Sequence, residues 1–393
     1  MPLRVERRVS NSGFQVSSFK FYRVIEDYLE FLRFCIDEER PVPDCVNRIC
    51  WHDLLEFAQK QAVVGVFFHG MKRITNGENK PTDDDVLEWM AESSMLVKRN
   101  EEMFNRSAFA VEAFRKEGFR SCILKGQGNA LMYPDPFMRT SGDIDIWVEG
   151  ERSKIFKYVK GFFPKTHDQY HEIHFPILKG IVMEVHYVPC FLNNLYINKR
   201  LQEYFKTHSD EQYRHTEQMP TGEQLCMPTN DFNRVFQMTH IMKHFFSGGI
   251  GYRHFVDYYY LLKRGFTVEE CKKDLEIFGR LKMIKFVRGA MWILKNNLGL
   301  DREYLLVEPD EKIGRMIENE IVIGGDFGKY DQRYRLPIKG KVISFGREIY
   351  RDLHFVKEFP SESLSRPVFL VWHQLRDIKK LFGGRLEKNI QSK

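Results

Sequence analysis

Long apolar runs are missing from this 393-residue chain. None reaches the roughly 18 residues that a membrane-spanning helix needs, so no helical membrane anchor is expected. The opening residues, MPLRVERRVSNSG, carry charge with no apolar core behind it, which is not the pattern of a signal peptide. Cysteine is sparse and unpatterned: the seven, at 35, 45, 50, 122, 190, 226 and 271, are odd in number and include no Cys-x-x-Cys spacing. A disulfide framework and a structural zinc are therefore not expected, and a reducing cytoplasm fits best. Internal repeats and low-complexity tracts are absent too. What is present is 43% hydrophobic and 14% aromatic residues, the composition of a globular protein rather than a disordered one.

Chemistry concentrates between Ser121 and Glu149, SCILKGQGNALMYPDPFMRTSGDIDIWVE. Side chains alternate along a strand, so Asp143 and Asp145 share one face while Ile144 and Ile146 take the other. Two adjacent carboxylates repel, and a hard divalent cation that accepts carboxylate and phosphate oxygens is the usual compensation. A third carboxylate, Glu184, lies in a predicted strand over Gly180 to Val188 (GIVMEVHYV), where burial without a partner would be costly. Three acidic groups on neighbouring strands suit a two-metal site for in-line displacement. Relief of their mutual repulsion predicts that Asp145→Asn leaves thermal stability unchanged or raised. Upstream, Cys122 to Gly126 reads as a short strand running into a Gly-rich turn, with a brief helical stretch from Asn129 to Tyr133. A dinucleotide fingerprint is excluded there, because Leu131 replaces its third glycine and Pro134 stops the helix before a parallel crossover could form.

These residues resemble a known family. Leu124-Lys-Gly126, Leu131-Met-Tyr133, Arg139, Gly142-Asp-Ile-Asp-Ile-Trp-Val148 and Met183-Glu-Val-His186 are similar to the uncharacterised nucleotidyltransferase family of the DNA polymerase β-like superfamily. The resemblance implies an α/β (α+β) fold with a small mixed sheet, flanked by N-terminal and C-terminal helical segments. It implies Asp143, Asp145 and Glu184 as catalytic metal ligands for Mg²⁺ or Mn²⁺, with an NTP as co-substrate. Lys125 and Gly126 would lie beside the triphosphate. The superfamily's usual Gly-Ser or Gly-Gly pair is Lys125-Gly126 followed by Gln127 here, so the serine contact to phosphate is missing. Transfer of a nucleoside monophosphate to a hydroxyl with release of pyrophosphate is the implied activity. The acceptor is open: small molecule, sugar, protein or RNA. The alternative is a non-catalytic nucleotide- or RNA-binding module retaining the fold, against which the three intact carboxylates argue.

Other polar residues extend the candidate site. Arg139, with Thr140 and Ser141 beside it, could hold a triphosphate through its planar fork, and Arg139 and Ser141 are taken as nucleotide-binding residues. His174 and His186 sit on the strands around Glu184, where a histidine could face the acceptor. His240 and His244 share a helical face, but Ile-Met-Lys between them lacks the glutamate of a zinc protease. The resemblance places them, with Arg253 and Asp257 on the next helix, on the acceptor side.

Breaks in pattern divide the chain into 1–118 (helical), 119–228 (sheet core) and 229–393 (helical). Helices are predicted over Phe19 to Glu39, Trp51 to Ile74, Asp83 to Glu117, Asp231 to Phe246, Tyr252 to Arg264, Asp310 to Asn319 and Val368 to Phe382. Between these, Glu151 to Phe163 reads as a helix, His171 to Leu178 as a strand, and Phe191 to Arg214 as a segment wrapping the sheet. The net charge of +6 is uneven: residues 332–393 hold 14 Lys/Arg against 6 Asp/Glu. Nucleic-acid binding by this basic tail, through Arg376, Lys379, Lys380 and Arg385, is one reading. A helical layer packing its aromatics, Trp372 included, into the core is the favoured one, because the charges are spread rather than clustered.

Overall fold

The computed structural model describes residues 11–75, 80–166, 168–333 and 341–373, with side chains from 23 and from 345 in the first and last of these stretches. Its first elements are helices α1 (Asn11–Ile36), α2 (Trp51–Gln61), α3 (Val64–Met71) and α4 (Asp83–Lys116). A capping box starts α4: Thr82 Oγ1 accepts from the Asp85 amide and the Asp85 carboxylate accepts from the Thr82 amide. Three aspartates in its first turn and Arg115 and Lys116 in its last complement the helix dipole.

Trp51 to Ile74 was expected as one helix, and the structure breaks it. Ala62 adopts a left-handed φ of 57°, which costs a non-glycine residue roughly 1–2 kcal/mol. Tertiary contacts compensate. Buried Gln61 donates to Ile321 O at 3.0 Å and accepts from the Tyr252 amide at 3.1 Å, and Gly65 lies so close to Met138 that a Cβ would come within 2.1 Å of its carbonyl oxygen.

A four-stranded mixed sheet follows, from β1 (Ser121–Ile123), β2 (Ile144–Val148), β3 (Glu172–His174) and β4 (Met183–His186), in the order β1-β2-β4-β3. The short helix α5 (Gln127–Ala130) lies between β1 and β2, and α6 (Arg152–Phe162) between β2 and β3. β2 and β4 are parallel, and both edge strands run antiparallel to their neighbours. One face of the sheet is apolar: Ile144, Ile146, Val148, Ile173, Met183 and Val185 pack with Phe104 and Phe114 of α4 and Ile155 and Val159 of α6. Both later strands are shorter than predicted.

The segment expected to wrap the sheet forms α7 (Leu195–Gln212), followed by a hairpin, β5 (Thr216–Gln218) and β6 (Gln224–Cys226). Helices α8 (Asn230–Ser247), α9 (Tyr252–Lys263), α10 (Val268–Arg280), α11 (Ile284–Trp292), α12 (Glu311–Gly324) and α13 (Lys341–Phe355) complete the named elements, and residues 360–373 are helical as well. The hairpin, α10 and α11 were not among the predicted elements, although a Thr267-x-x-Glu270 capping box opens α10. One apolar core joins the first and last helical segments: Phe31, Phe57 and Phe67 belong to the same cluster as Tyr252, Ile317, Phe355 and Phe359. The aromatic layer expected near the C-terminus is there. Phe355 and Phe359 pack against Phe245 and Phe246, and Phe369 stacks on Phe191 at 4.9 Å. Trp372 departs from its expected burial, being 37% exposed with its ring edge against Tyr170. Arg376, Lys379, Lys380 and Arg385 lie outside the described residues.

Candidate active site

Strand register assembles the site. Asp145 pairs with Glu184 across β2 and β4, and Glu184 with His174 across β4 and β3, giving one row of three. Trp147, His186 and Glu172 form the next row. Alternation puts both rows on the face opposite the apolar one, turned toward α8. Asp143 stands one residue before β2. Among the described residues, donor atoms lie within 4.8 Å of one another in three groups: Asp145, Glu184 and His186; Glu172, His174 and Glu184; His171, Glu172 and His186. Asp143 is in none of them and lines the adjoining cleft instead, beside Asp145, Lys125, Gly126, His240 and Arg253. Asp145 and Glu184 thus stand side by side in one row, and Asp143 lines the cleft next to Asp145.

Lys125 is the pivot of the charge balance. Its Nζ lies 3.0 Å from Asp145 Oδ1 and 2.9 Å from His240 Nε2. His186 Nε2 approaches the same Asp145 oxygen at 2.9 Å. Burial alone would raise the Asp145 carboxyl, but Lys125 and His186 outweigh it and hold Asp145 below the usual carboxylate range. Asp143 is pushed the other way, first by burial and then by the Asp145 charge. Glu184 is pushed up to about 9, by burial first and then by Asp145, Glu172 and Asp143. Ionising the whole row would therefore place more negative charge there than Lys125 and His186 balance.

His171 and Glu172 enlarge the cluster. His171 Nε2 is 2.8 Å from Glu172 Oε2 and 2.9 Å from Lys243 Nζ. Burial works against ionised Glu172, but the hydrogen bond from His171 wins and keeps it low. His240 and His244 face each other, Nε2 to Nε2, at 2.9 Å. Burial, then Lys125 for His240 and Lys243 for His244, holds both well below the ordinary imidazole value. Both are neutral hydrogen-bonding groups, and His240 lines the cleft.

Arg139 and Ser141, expected at the nucleotide, are both engaged by protein groups. The Arg139 guanidinium is taken up by Asp257 through two hydrogen bonds of 2.8 and 2.7 Å, and Asp257 also accepts from Tyr133 and Asn129. A fork so engaged ties its loop to α9 at the wall of the cleft. The physical reason is burial: a guanidinium only 5% exposed must be paired. Ser141 Oγ likewise donates to Asn100 Oδ1.

Sequence reasoning gave Glu172, Lys243 and Phe327 no role. Antiparallel pairing of the His171 strand with the Glu184 strand would have placed Glu172 on the site's face. Phe327 lies in the glycine-rich turn Gly324-Gly-Asp-Phe-Gly328 and adopts a left-handed φ of 55° with its ring 5.1 Å from that of His244 and 5.4 Å from the Arg253 guanidinium carbon.

A divalent cation fits these donors. Asp145 Oδ2 is buried with no hydrogen-bond partner, an omission that costs a protein about 1–3 kcal/mol unless something else satisfies it. The free volume in the cleft is about 40 Å³, the scale of an ion with its water.

No curated protein matches the chain. A solved structure, an antigenic nucleotidyltransferase-like protein from Paracoccidioides brasiliensis, is similar at a TM-score of 0.34 and 11% identity, over 55% of this chain and 97% of that one. Residues 47–299 match a family model described as uncharacterised nucleotidyltransferase. That stretch is more than half of the chain and holds every carboxylate and histidine of the two rows, and the protein belongs to the uncharacterised nucleotidyltransferase family.

Proposed function

We propose that the protein transfers a nucleoside monophosphate from an NTP to a hydroxyl acceptor, releasing pyrophosphate. The observation that carries this reading is the orphaned Asp145 Oδ2 beside an undercompensated Glu184, at the edge of a cleft that also holds Asp143 and Lys125. Asp143, Asp145 and Glu184 would hold Mg²⁺ or Mn²⁺. Such a cation supplies charge neutralisation at the phosphates and a lowered pKa for the attacking hydroxyl. Lys125 contributes positive charge for the triphosphate, and Gly126, at φ 63°, lets the backbone pass close to it. Neutral His240, accepting from Lys125, steers that ammonium and borders the space where an acceptor hydroxyl would enter.

Incubation of purified protein with α-labelled NTPs and Mg²⁺ or Mn²⁺ tests the reading, scored by pyrophosphate release and by label on a co-purified acceptor. Wild type is expected to transfer and Asp145→Asn to lose transfer by at least 100-fold, the scale of removing a catalytic electrostatic group, roughly 10²–10³. Transfer retained in a folded Asp145→Asn variant refutes it. Nucleotide binding by wild type with no pyrophosphate from any NTP would favour a binding module instead.

A further inference from the structure

The edge strand β3 brings two groups to the sheet face that the three expected carboxylates do not include. Glu172 and His174 lie two residues apart on β3 and face His186 and Glu184 on β4. His174 Nε2 is 3.5 Å from Glu184 Oε1 and 3.9 Å from Glu172 Oε1, and one donor atom from each residue lies within 4.8 Å of the others. Ligand atoms around an ion bonded at roughly 2.0–2.2 Å sit about 3.0–3.5 Å apart, so only small side-chain shifts separate these three from a coordination sphere.

We propose that Glu172, His174 and Glu184 form a second cation site, selective for a first-row transition metal such as Mn²⁺ or Zn²⁺, with Glu184 shared between it and the Asp145 side. The two oxygens of Glu184 point the two ways this requires: Oε1 toward His174, Oε2 toward His186 at 3.9 Å. Two glutamates and one neutral imidazole balance a dication, and the nitrogen donor favours transition metals over Mg²⁺. A supporting shell is built in. His171 Nε2 lies 2.8 Å from Glu172 Oε2, which leaves Oε1 toward His174, as a ligating carboxylate needs. Access exists as well, because the His174 side chain is 37% exposed while Glu172 behind it is 6% exposed. Independent of this geometry is the orphaned, fully buried Asp145 Oδ2 in the adjoining group, an unsatisfied acceptor on the same face of the sheet.

The proposal rests on the transferase reading only through Glu184, and it can be tested apart from transfer. Full-length protein stripped with chelator is titrated with Mn²⁺ and followed by electron paramagnetic resonance, with pulsed detection of ¹⁴N coupling. Wild type is expected to bind two ions per chain, one of them nitrogen-coupled. His174→Ala, at a partly exposed strand end, should melt like wild type without metal, lose the nitrogen coupling and bind that ion at least tenfold more weakly, the scale for losing a metal-supporting residue, about 10–100-fold. Glu172→Gln should weaken the same ion and keep its nitrogen coupling. Asp145→Asn should retain the nitrogen-coupled ion. Absence of nitrogen coupling in wild type, or its persistence at unchanged affinity in His174→Ala, overturns the site. A nitrogen-coupled ion in a wild-type protein that transfers nothing would sink the transferase reading alone.

Discussion

Removing the charge of Asp145 and removing that of Glu184 are expected to move stability in opposite directions. Asp145 is 1% exposed and receives Lys125 at 3.0 Å and His186 at 2.9 Å. Asp145→Asn leaves Lys125 without its counter-charge, and breaking a buried pair costs about 3–5 kcal/mol. Lys125 keeps 18% exposure, which places the loss near the low end, about 3 kcal/mol. This reverses the expectation from sequence, where the repulsion of two aspartates promised an unchanged or raised melting temperature. Glu184 is the group that carries the repulsion. Its carboxyl moves from an ordinary 4.5 up to about 9, by burial and then by Asp145, Glu172 and Asp143. Three pH units at about 1.4 kcal/mol each is the upper bound on what keeping it neutral costs at pH 7.5. Its partial exposure and the adjacent histidines reduce this to about 2 kcal/mol. Unfolding entropy is about 0.8 kcal/mol/K for a chain of this length. Glu184→Gln should then melt roughly 2–3 °C above wild type and Asp145→Asn roughly 4 °C below it. The sign in pH follows. A carboxyl raised in the fold contributes stability fully present below its unfolded value near 4.5 and lost as pH rises through about 9, so the advantage of Glu184→Gln widens from pH 5 to pH 9. Melting curves in chelator at pH 5, 7 and 9 test this. If Glu184→Gln melts below wild type at pH 9, or both variants shift the same way, the charge assignment is wrong.

Metal should reverse the comparison: at 100 times its Kd, Mg²⁺ stabilises wild type by about 2.7 kcal/mol, while Glu184→Gln should gain much less, as read by melting with and without the ion. Arg139→Met leaves the Asp257 carboxylate buried and short of its main partner, so a loss of about 3–5 kcal/mol is expected in urea titration, and a loss under 1 kcal/mol would show that Tyr133 and Asn129 suffice. At Gly314 a Cβ would come within 2.5 Å of the Trp292 ring, so Gly314→Ala should destabilise by about 1–3 kcal/mol through overpacking, visible as a lowered urea midpoint. Trp372→Ala should cost about 1–2 kcal/mol, because the ring is part-exposed and contributes mainly aromatic edge contacts to Tyr170 and Phe369. Neutralising Arg376, Lys379, Lys380 and Arg385 together should leave nucleotidyl transfer unaltered, and salt-sensitive RNA binding lost in that variant would contradict this.

Much of the site could be read along the chain, because strand alternation is a local rule. The apolar residues around Asp145 and Glu184 fixed which face each carboxylate takes, and the structure pairs the two side by side. The Gly-rich turn before the strand, the long capped helix over Asp83–Lys116 and the helices carrying His240 and Arg253 were legible for the same reason: caps, breakers and 3.6-residue periodicity act within a few residues. Pairing partners are not local. Nothing near Arg139 announces Asp257, 118 residues away, and a guanidinium free in the sequence reading becomes a buried structural pair once α9 packs over its loop. Lys125 meets His240 across 115 residues, and Lys243 meets His171 across 72. Such contacts decide the charge on each group. The break at Ala62 is of the same kind, since Gln61 is drawn inward by Ile321 and Tyr252. Composition and periodicity determined which residues could bear chemistry. Tertiary packing decided which carboxylate is compensated and which is not, because the energy of a buried charge depends on its neighbours in space rather than in sequence.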